Sequence, residues 1–201
     1  MGLIVGLTGS MGSGKTTAAS ILKELGASII DADAICRELV LPNQPAWEEI
    51  THTFGKAILN EDQTIDRTRL ATIVFNDKSK KTLLENILHP KVFAEEMRLC
   101  GQIFKDDPQS VVIIDAALLI ESGNLKKVDK VIVVTCDQES LIRRAMKRST
   151  LTREEATLRI QNQMPQEEKV KHADYILQND GNHEDFKAKV QKLYTELKTT
   201  L

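Results

Sequence analysis

Val5-Gly6-Leu7-Thr8-Gly9-Ser10-Met11-Gly12-Ser13-Gly14-Lys15-Thr16-Thr17 decides how the rest of the chain reads, because an apolar strand runs into a glycine-rich turn and out into a helix. Gly9, Gly14, Lys15 and Thr16 fit G-x-x-x-x-G-K-[ST], the spacing of a phosphate-binding loop. Glycine permits positive φ and close backbone approach. The N–H groups along Gly12, Ser13, Gly14, Lys15, Thr16 and Thr17 can therefore converge on phosphate oxygens at a helix N-terminus. Lys15 would reach the β and γ phosphates of a nucleotide, and Thr16 would hold Mg2+.

Working outward, Lys15 to Leu25 carries Ala18, Ala19, Ile21, Leu22 and Leu25 at helical spacing, with Gly26 suited to the position just past the helix end. Ser28 to Asp31 reads as a short strand ending in Asp31-Ala32-Asp33, two carboxylates at the strand edge where open α/β sheets bind ligands. One of the pair is expected to cap a helix starting near Ala34, and the other to act in catalysis. Val111 to Asp115 is a β-branched run ending in an acid, as in a buried parallel strand. An acid at such a tip serves either as a Mg2+ ligand or as a helix cap. Glu121 closes the following apolar run and either faces the cleft or marks its exit to solvent. Val128 to Thr135 and Tyr175 to Gln178 read as two more core strands, and His183 to Leu197 as a closing helix.

Two segments interrupt this alternation. Residues 34–107 carry few strand signals and several amphipathic stretches, which predicts a mainly helical insertion. Pro42 and Pro45 break its first helix, Asp66 caps a helix from Arg67 to Phe75, and a helix from Lys78 should stop at Leu88 because His89 precedes Pro90. Alone, His89 reads as structural and Arg67 as a solvated surface charge. The second segment is basic: residues 139–160 hold six basic groups (Arg143, Arg144, Lys147, Arg148, Arg153, Arg159) against three acids. Such a run is usually a solvated helical face. Beside a phosphate loop, an arginine-bearing helical hairpin is also the form of a lid that closes on nucleotide phosphates. Asp137 caps its first helix, and Thr152-Arg153-Glu154-Glu155 has the form of a capping box opening the second.

Whole-chain properties bound the partners. A chain of 201 residues, 41% hydrophobic and 28% charged, can bury one α/β core with inserted lobes. The net charge of −2 gives no electrostatic case for nucleic acid or an anionic membrane, and no apolar run reaches the roughly 20 residues a membrane span needs. Residues 1–8 lack a basic leader and read as the first core strand. Cys36, Cys100 and Cys136 are odd in number and widely spaced, which suits reduced thiols in a cytoplasmic protein. The number of copies that assemble is left open.

The ordered set of motifs resembles the dephospho-CoA kinase family along essentially the whole chain. The resemblance rests on the glycine-rich stretch, Asp31-Ala32-Asp33 with Arg37-Glu38, Ile65-Asp66-Arg67 with Leu70 and Val74-Phe75, and His89-Pro90. It continues through Leu118-Leu119-Ile120-Glu121, which is similar to the family's L-L-F-E, then Arg144 and Arg148, Arg159-Ile160 with Gln163, Lys169, Ala173-Asp174 and Asn179. Ala117 and Leu141 depart from the family's usual proline and glutamine, which bears on loop geometry and removes no catalytic group.

The resemblance implies transfer of the ATP γ-phosphoryl to the ribose 3′-hydroxyl of dephospho-CoA, with Mg2+. It implies Lys15, Asp33, Arg144 and Arg148 as catalytic groups, Asp33 taking or orienting the acceptor proton. Gly12 to Thr17 with Asn179 would bind ATP; Arg67, His89 and Glu121 would shape the acceptor site; Thr16 and Asp115 would hold the metal. The expected architecture is an α/β phosphate-loop core of three layers, α/β/α, around a parallel sheet. Residues 1–33, 108–138 and 173–201 would form the core, 34–107 the acceptor lobe and 139–172 a lid. Another small-molecule or nucleoside kinase would share the loop, acid and lid, and a nucleotide-binding regulatory module would share the loop. The absence of N-K-x-D and D-x-x-G argues against a guanine-nucleotide switch.

Overall fold

Among residues 2–201, which the computed structural model describes (Asn124 by its backbone alone), five strands form one parallel sheet in the order β2-β3-β1-β4-β5. They are β1 (Leu3–Gly9), β2 (Ser28–Asp31), β3 (Val111–Asp115), β4 (Lys130–Thr135) and β5 (Tyr175–Gln178). The chain leaves β1 to one side for β2 and β3 and crosses to the other for β4 and β5, so the loop after β1 lies where the winding reverses. Register brings the strand tips together: Leu7 pairs with Asp115, and Asp115 with Asp31.

Helices cover the sheet because its strands are apolar on both faces. Val5, Leu7, Val111, Ile113, Ile132 and Val134 face α1 (Lys15–Glu24) and the closing helix α9 (His183–Thr199), which contributes Phe186, Val190 and Leu193. Val131 and Val133 on the opposite face pack with Leu119, Ile120 and Val170. Gly6 makes room there for a methyl of the Leu119 side chain, which a Cβ would displace. The phosphate-loop α/β fold expected from the sequence is the one observed.

The chain divides into two compact units, one running to Asp31 and resuming over Cys100–Leu201, the other Ala32–Leu99. The second contains α2 (Ala32–Leu39), α3 (Pro45–Phe54), α4 (Arg67–Asn76) and most of α5 (Lys78–Asp106). Its core is Ile50, Ile58, Ile65 and Leu70, flanked by Trp47, Leu84 and Leu88. Pro45 opens α3 at its first turn, and Asp66 caps α4 by accepting from the Thr68 and Arg69 N–H groups, both at 3.0 Å. Two expectations are corrected. The helix from Lys78 does not stop at Leu88 but runs through Pro90 to Asp106. Proline at 90 withdraws only the bond to the Asn86 carbonyl, and both residues are exposed, so water can satisfy that oxygen. The helix after β2 starts at Ala32 and not near Ala34, which puts Asp33 in its first turn.

Residues 139–172 lie in the same compact unit as the sheet. They comprise most of α6 (Gln138–Ser149), α7 (Arg153–Gln161) and α8 (Gln166–Val170). Asp137 caps α6 through the Ser140 N–H at 2.8 Å, and Thr152 with Glu155 completes the capping box of α7.

Candidate active site

The loop between β1 and α1 is shaped by its glycines and clamped from outside. Gly12 and Gly14 have φ of +85° and +101°. A Cβ on Gly12 would strike the Leu141 carbonyl, and one on Gly14 the Asn179 carboxamide, so conformation and packing both exclude larger residues. Within the loop the Ser13 N–H donates to the Ser10 carbonyl at 3.0 Å. The Ser13 carbonyl then accepts from Asn179 Nδ2 at 2.8 Å and from Arg144 Nη1 at 3.4 Å. Arg144 Nη2 also donates to the Asn179 carbonyl at 3.0 Å. Thr8 is buried below the loop and donates to the Ala117 carbonyl at 3.1 Å. The buried Ser13 Oγ has no hydrogen-bond partner among the described residues.

Lys15, at the first turn of α1, forms an ion pair with Asp115 at the tip of β3. Both side chains are largely shielded, at 15% and 12% exposure, yet they open onto the sheet edge. Thr16 is exposed, and its Oγ1 accepts from Arg148 Nη1 at 3.3 Å. The β1 loop thus has a cation, an acid, a hydroxyl and two guanidinium groups around it. Arg143 is exposed and reaches only the Ser140 hydroxyl, at 3.3 Å, among the contacts seen for it. Arg144 and Arg148 stand one turn apart on the helix face turned to the loop, and Arg143 is rotated off it.

Glu121 is exposed, and one of its carboxylate oxygens is engaged by the chain itself. Its Oε1 accepts from Lys169 Nζ at 2.7 Å and from the Met164 N–H at 3.3 Å. Lys169 is completely buried and also donates to the Ala117 carbonyl at 3.1 Å. Cys136, after β4, is buried beside Gly12, and burial pushes its thiol up to about 11.

In the helical unit, Asp33, Cys36, Arg37 and Arg67 rim a cavity of about 320 Å³ floored by Ile50, Leu70 and other apolar side chains. A charged rim over an apolar floor suits a ligand with both anionic and apolar parts. Burial, then the nearby Asp33 carboxylate, raises the Cys36 thiol above its ordinary range. His89 is half-buried within α5, one residue beyond Leu88 of the cavity wall. The roles of Gln163, Gln166 and Lys169 were beyond sequence reasoning. Their partners lie 152, 30 and 48 residues away, so no local spacing could signal them.

Comparison with known proteins places this arrangement. The family model described as dephospho-CoA kinase matches residues 3–185. A dephospho-CoA kinase of Aquifex aeolicus is 42% identical over 193 residues, 96% of each chain. Among solved structures, a Thermus thermophilus protein superposes with a TM-score of 0.81 at 34% identity, covering 97% of both chains. The dephospho-CoA kinase of Campylobacter jejuni superposes with a TM-score of 0.73 at 33% identity, covering 100% of this chain and 99% of that one. On the strength of a family match across nearly its whole length, with the phosphate loop and its surrounding charges in place, the chain belongs to the dephospho-CoA kinase family.

Proposed function

We propose that this chain transfers the γ-phosphoryl group of ATP to the ribose 3′-hydroxyl of dephospho-CoA, yielding coenzyme A and ADP. The observation that carries this is the joint one of family membership and a loop whose Lys15 pairs with Asp115 at the sheet edge. Residues 34–107 act as the acceptor lobe and 139–172 as the lid. The three free cysteines support a reducing, cytoplasmic setting, and no helix among the described residues is long and apolar enough to cross a membrane.

Lys15 exchanges Asp115 for the β and γ phosphates, and those N–H groups from Gly12 to Thr17 that have no partner within the loop hold the same oxygens. Asn179 keeps its carboxamide on the Ser13 carbonyl and so helps to hold the loop that binds ATP. Thr16 and Asp115 would hold Mg2+. The donor set fits: a hydroxyl and a carboxylate are hard oxygen ligands, and this ion takes few side chains where phosphates complete its shell. When bound, the ion would supply neutralisation of the charge that develops on the phosphates.

Asp33 accepts the 3′-hydroxyl proton as that oxygen attacks γ-phosphorus; the bond from phosphorus to the β–γ bridging oxygen breaks and ADP departs. Its exposed carboxylate and its place on the rim of the helical unit's cavity with Arg67 support the role. Arg144 and Arg148 neutralise the transferring group. Arg67 and His89 shape the acceptor site directly, and Glu121 does so through the segment it holds with Lys169. A coupled assay of ADP release tests the proposal, offering dephospho-CoA, adenosine, nucleoside monophosphates and shikimate in parallel. Turnover with dephospho-CoA far above the others is expected. Preference for another acceptor would overturn it.

A further inference from the structure

The loop that holds phosphate is itself held by a residue outside it. The Met11 N–H donates to Gln163 Oε1 at 2.8 Å, a contact between the middle of the loop and the turn after α7. That turn is fixed on three sides. The Gln163 N–H donates to the Ile160 carbonyl at 3.1 Å, which closes the end of α7. The Met164 N–H is held by Glu121, the partner of buried Lys169. Gln166 grips Cys136 twice, accepting from its N–H at 3.0 Å and donating to its carbonyl at 2.8 Å. Residues 163–166 thus join the loops after β1, β3 and β4, and only the Gln163 side chain reaches the β1 loop from this turn among the contacts seen.

We infer that Gln163 is a positioning residue, which orients the Met11 peptide and so holds the phosphate loop in the shape that binds ATP. The inference rests on the ATP-dependent reading above. An N–H bound to Gln163 is not offered to a phosphate, so the contribution is geometric: it sets the entry into Gly12, where φ is +85° and the Leu141 carbonyl lies close enough to exclude a Cβ. A loop freed at Met11 samples orientations that ATP must then select against, and affinity falls by the fraction lost. Because the anchor belongs to the segment between α7 and α8, ATP affinity becomes coupled to how that segment sits on the core.

The test uses three full-length variants. Gln163→Met keeps side-chain length and removes the acceptor; Gln163→Glu keeps an acceptor oxygen at the same reach; Gln161→Met, at the exposed end of α7, controls for the methionine itself. Amide exchange at Met11, followed by NMR in ligand-free protein, should accelerate in Gln163→Met and stay slow in Gln163→Glu and Gln161→Met. The Kd for an ATP analogue and the KM for ATP should rise roughly three- to tenfold in Gln163→Met, the span of one net hydrogen bond, with KM for dephospho-CoA unchanged. Unchanged Met11 exchange in Gln163→Met would overturn the inference. So would faster exchange with ATP affinity equal to that of Gln161→Met. If the wild type binds no ATP analogue, the kinase reading fails and the inference with it, and the exchange arm still shows whether the anchor exists.

Discussion

Replacing Arg144 by lysine keeps the charge and removes the fork. In the structure one guanidinium nitrogen donates to the Asn179 carbonyl at 3.0 Å while another reaches the Ser13 carbonyl at 3.4 Å. A lysine ammonium is a compact point charge without the planar fork, so it cannot span the two carbonyls as the guanidinium does or turn two parallel donors onto a phosphate. The 3.4 Å contact is weak, so the 3.0 Å bond sets the scale. A hydrogen bond from a charged group contributes about 1.5–3 kcal/mol, or roughly 10- to 150-fold in kcat/KM if the loss is felt fully in the transition state. Arg148→Lys should cost a comparable factor once ATP is bound, because its site lies beside Thr16. Arg143→Lys should cost less than about threefold, the side chain being exposed and turned from the loop. The assay is kcat/KM for ATP at saturating dephospho-CoA, with thermal melting as a check that each variant is folded. Equal losses at all three positions, or none, would refute the assignment of Arg144 and Arg148 to the nucleotide and leave α6 an ordinary charged surface.

Further outcomes are expected elsewhere in the site. Lys15→Ala should fold and lose on the order of 10²–10³ in kcat, the scale of one preorganised donor, read by ADP release. Asp33→Asn should lower kcat steeply while the Kd for an ATP analogue stays within about threefold, since the change removes a proton acceptor and keeps shape; a collapse of ATP affinity would move Asp33 to the metal. Hydrogen bonds from the Ser140 hydroxyl and N–H hold the Asp137 carboxyl below its ordinary 3.8. Its stabilising effect is therefore complete above that value and lost as pH falls through the lower folded value, so the melting temperature of Asp137→Asn should fall less between pH 5 and 3 than that of the wild type.

What the sequence reveals and what it hides divide along physical lines. The β1 loop and α1 are legible because glycines and Lys15 must stand at fixed offsets to meet phosphate, and β3 because four consecutive buried positions ahead of Asp115 admit few residues besides Val and Ile. The capping box at Thr152 is equally local. Pro90 misleads because the rule that proline ends a helix weighs only local cost. The turn before it is held by packing, Ile87 and Leu88 lying against the core of the helical unit. The ion pair of Glu121 with Lys169 is not legible in the sequence. A fully buried lysine such as Lys169 is rare enough that a charged position in a short polar helix gives no hint of it. Asn179 enters the sequence reading only through the family resemblance, and its bond to the Ser13 carbonyl becomes visible only when the fold brings positions 166 residues apart together.

The central claim is that phosphate moves from ATP to one particular oxygen of dephospho-CoA. Its most direct test is the ³¹P NMR spectrum and mass of the product formed from ATP, Mg2+ and dephospho-CoA. One new phosphomonoester on the ribose 3′-oxygen is expected, formed in step with ADP and abolished in Lys15→Ala. ADP appearing with free phosphate and unchanged dephospho-CoA, or a phosphate on any other oxygen, would contradict it.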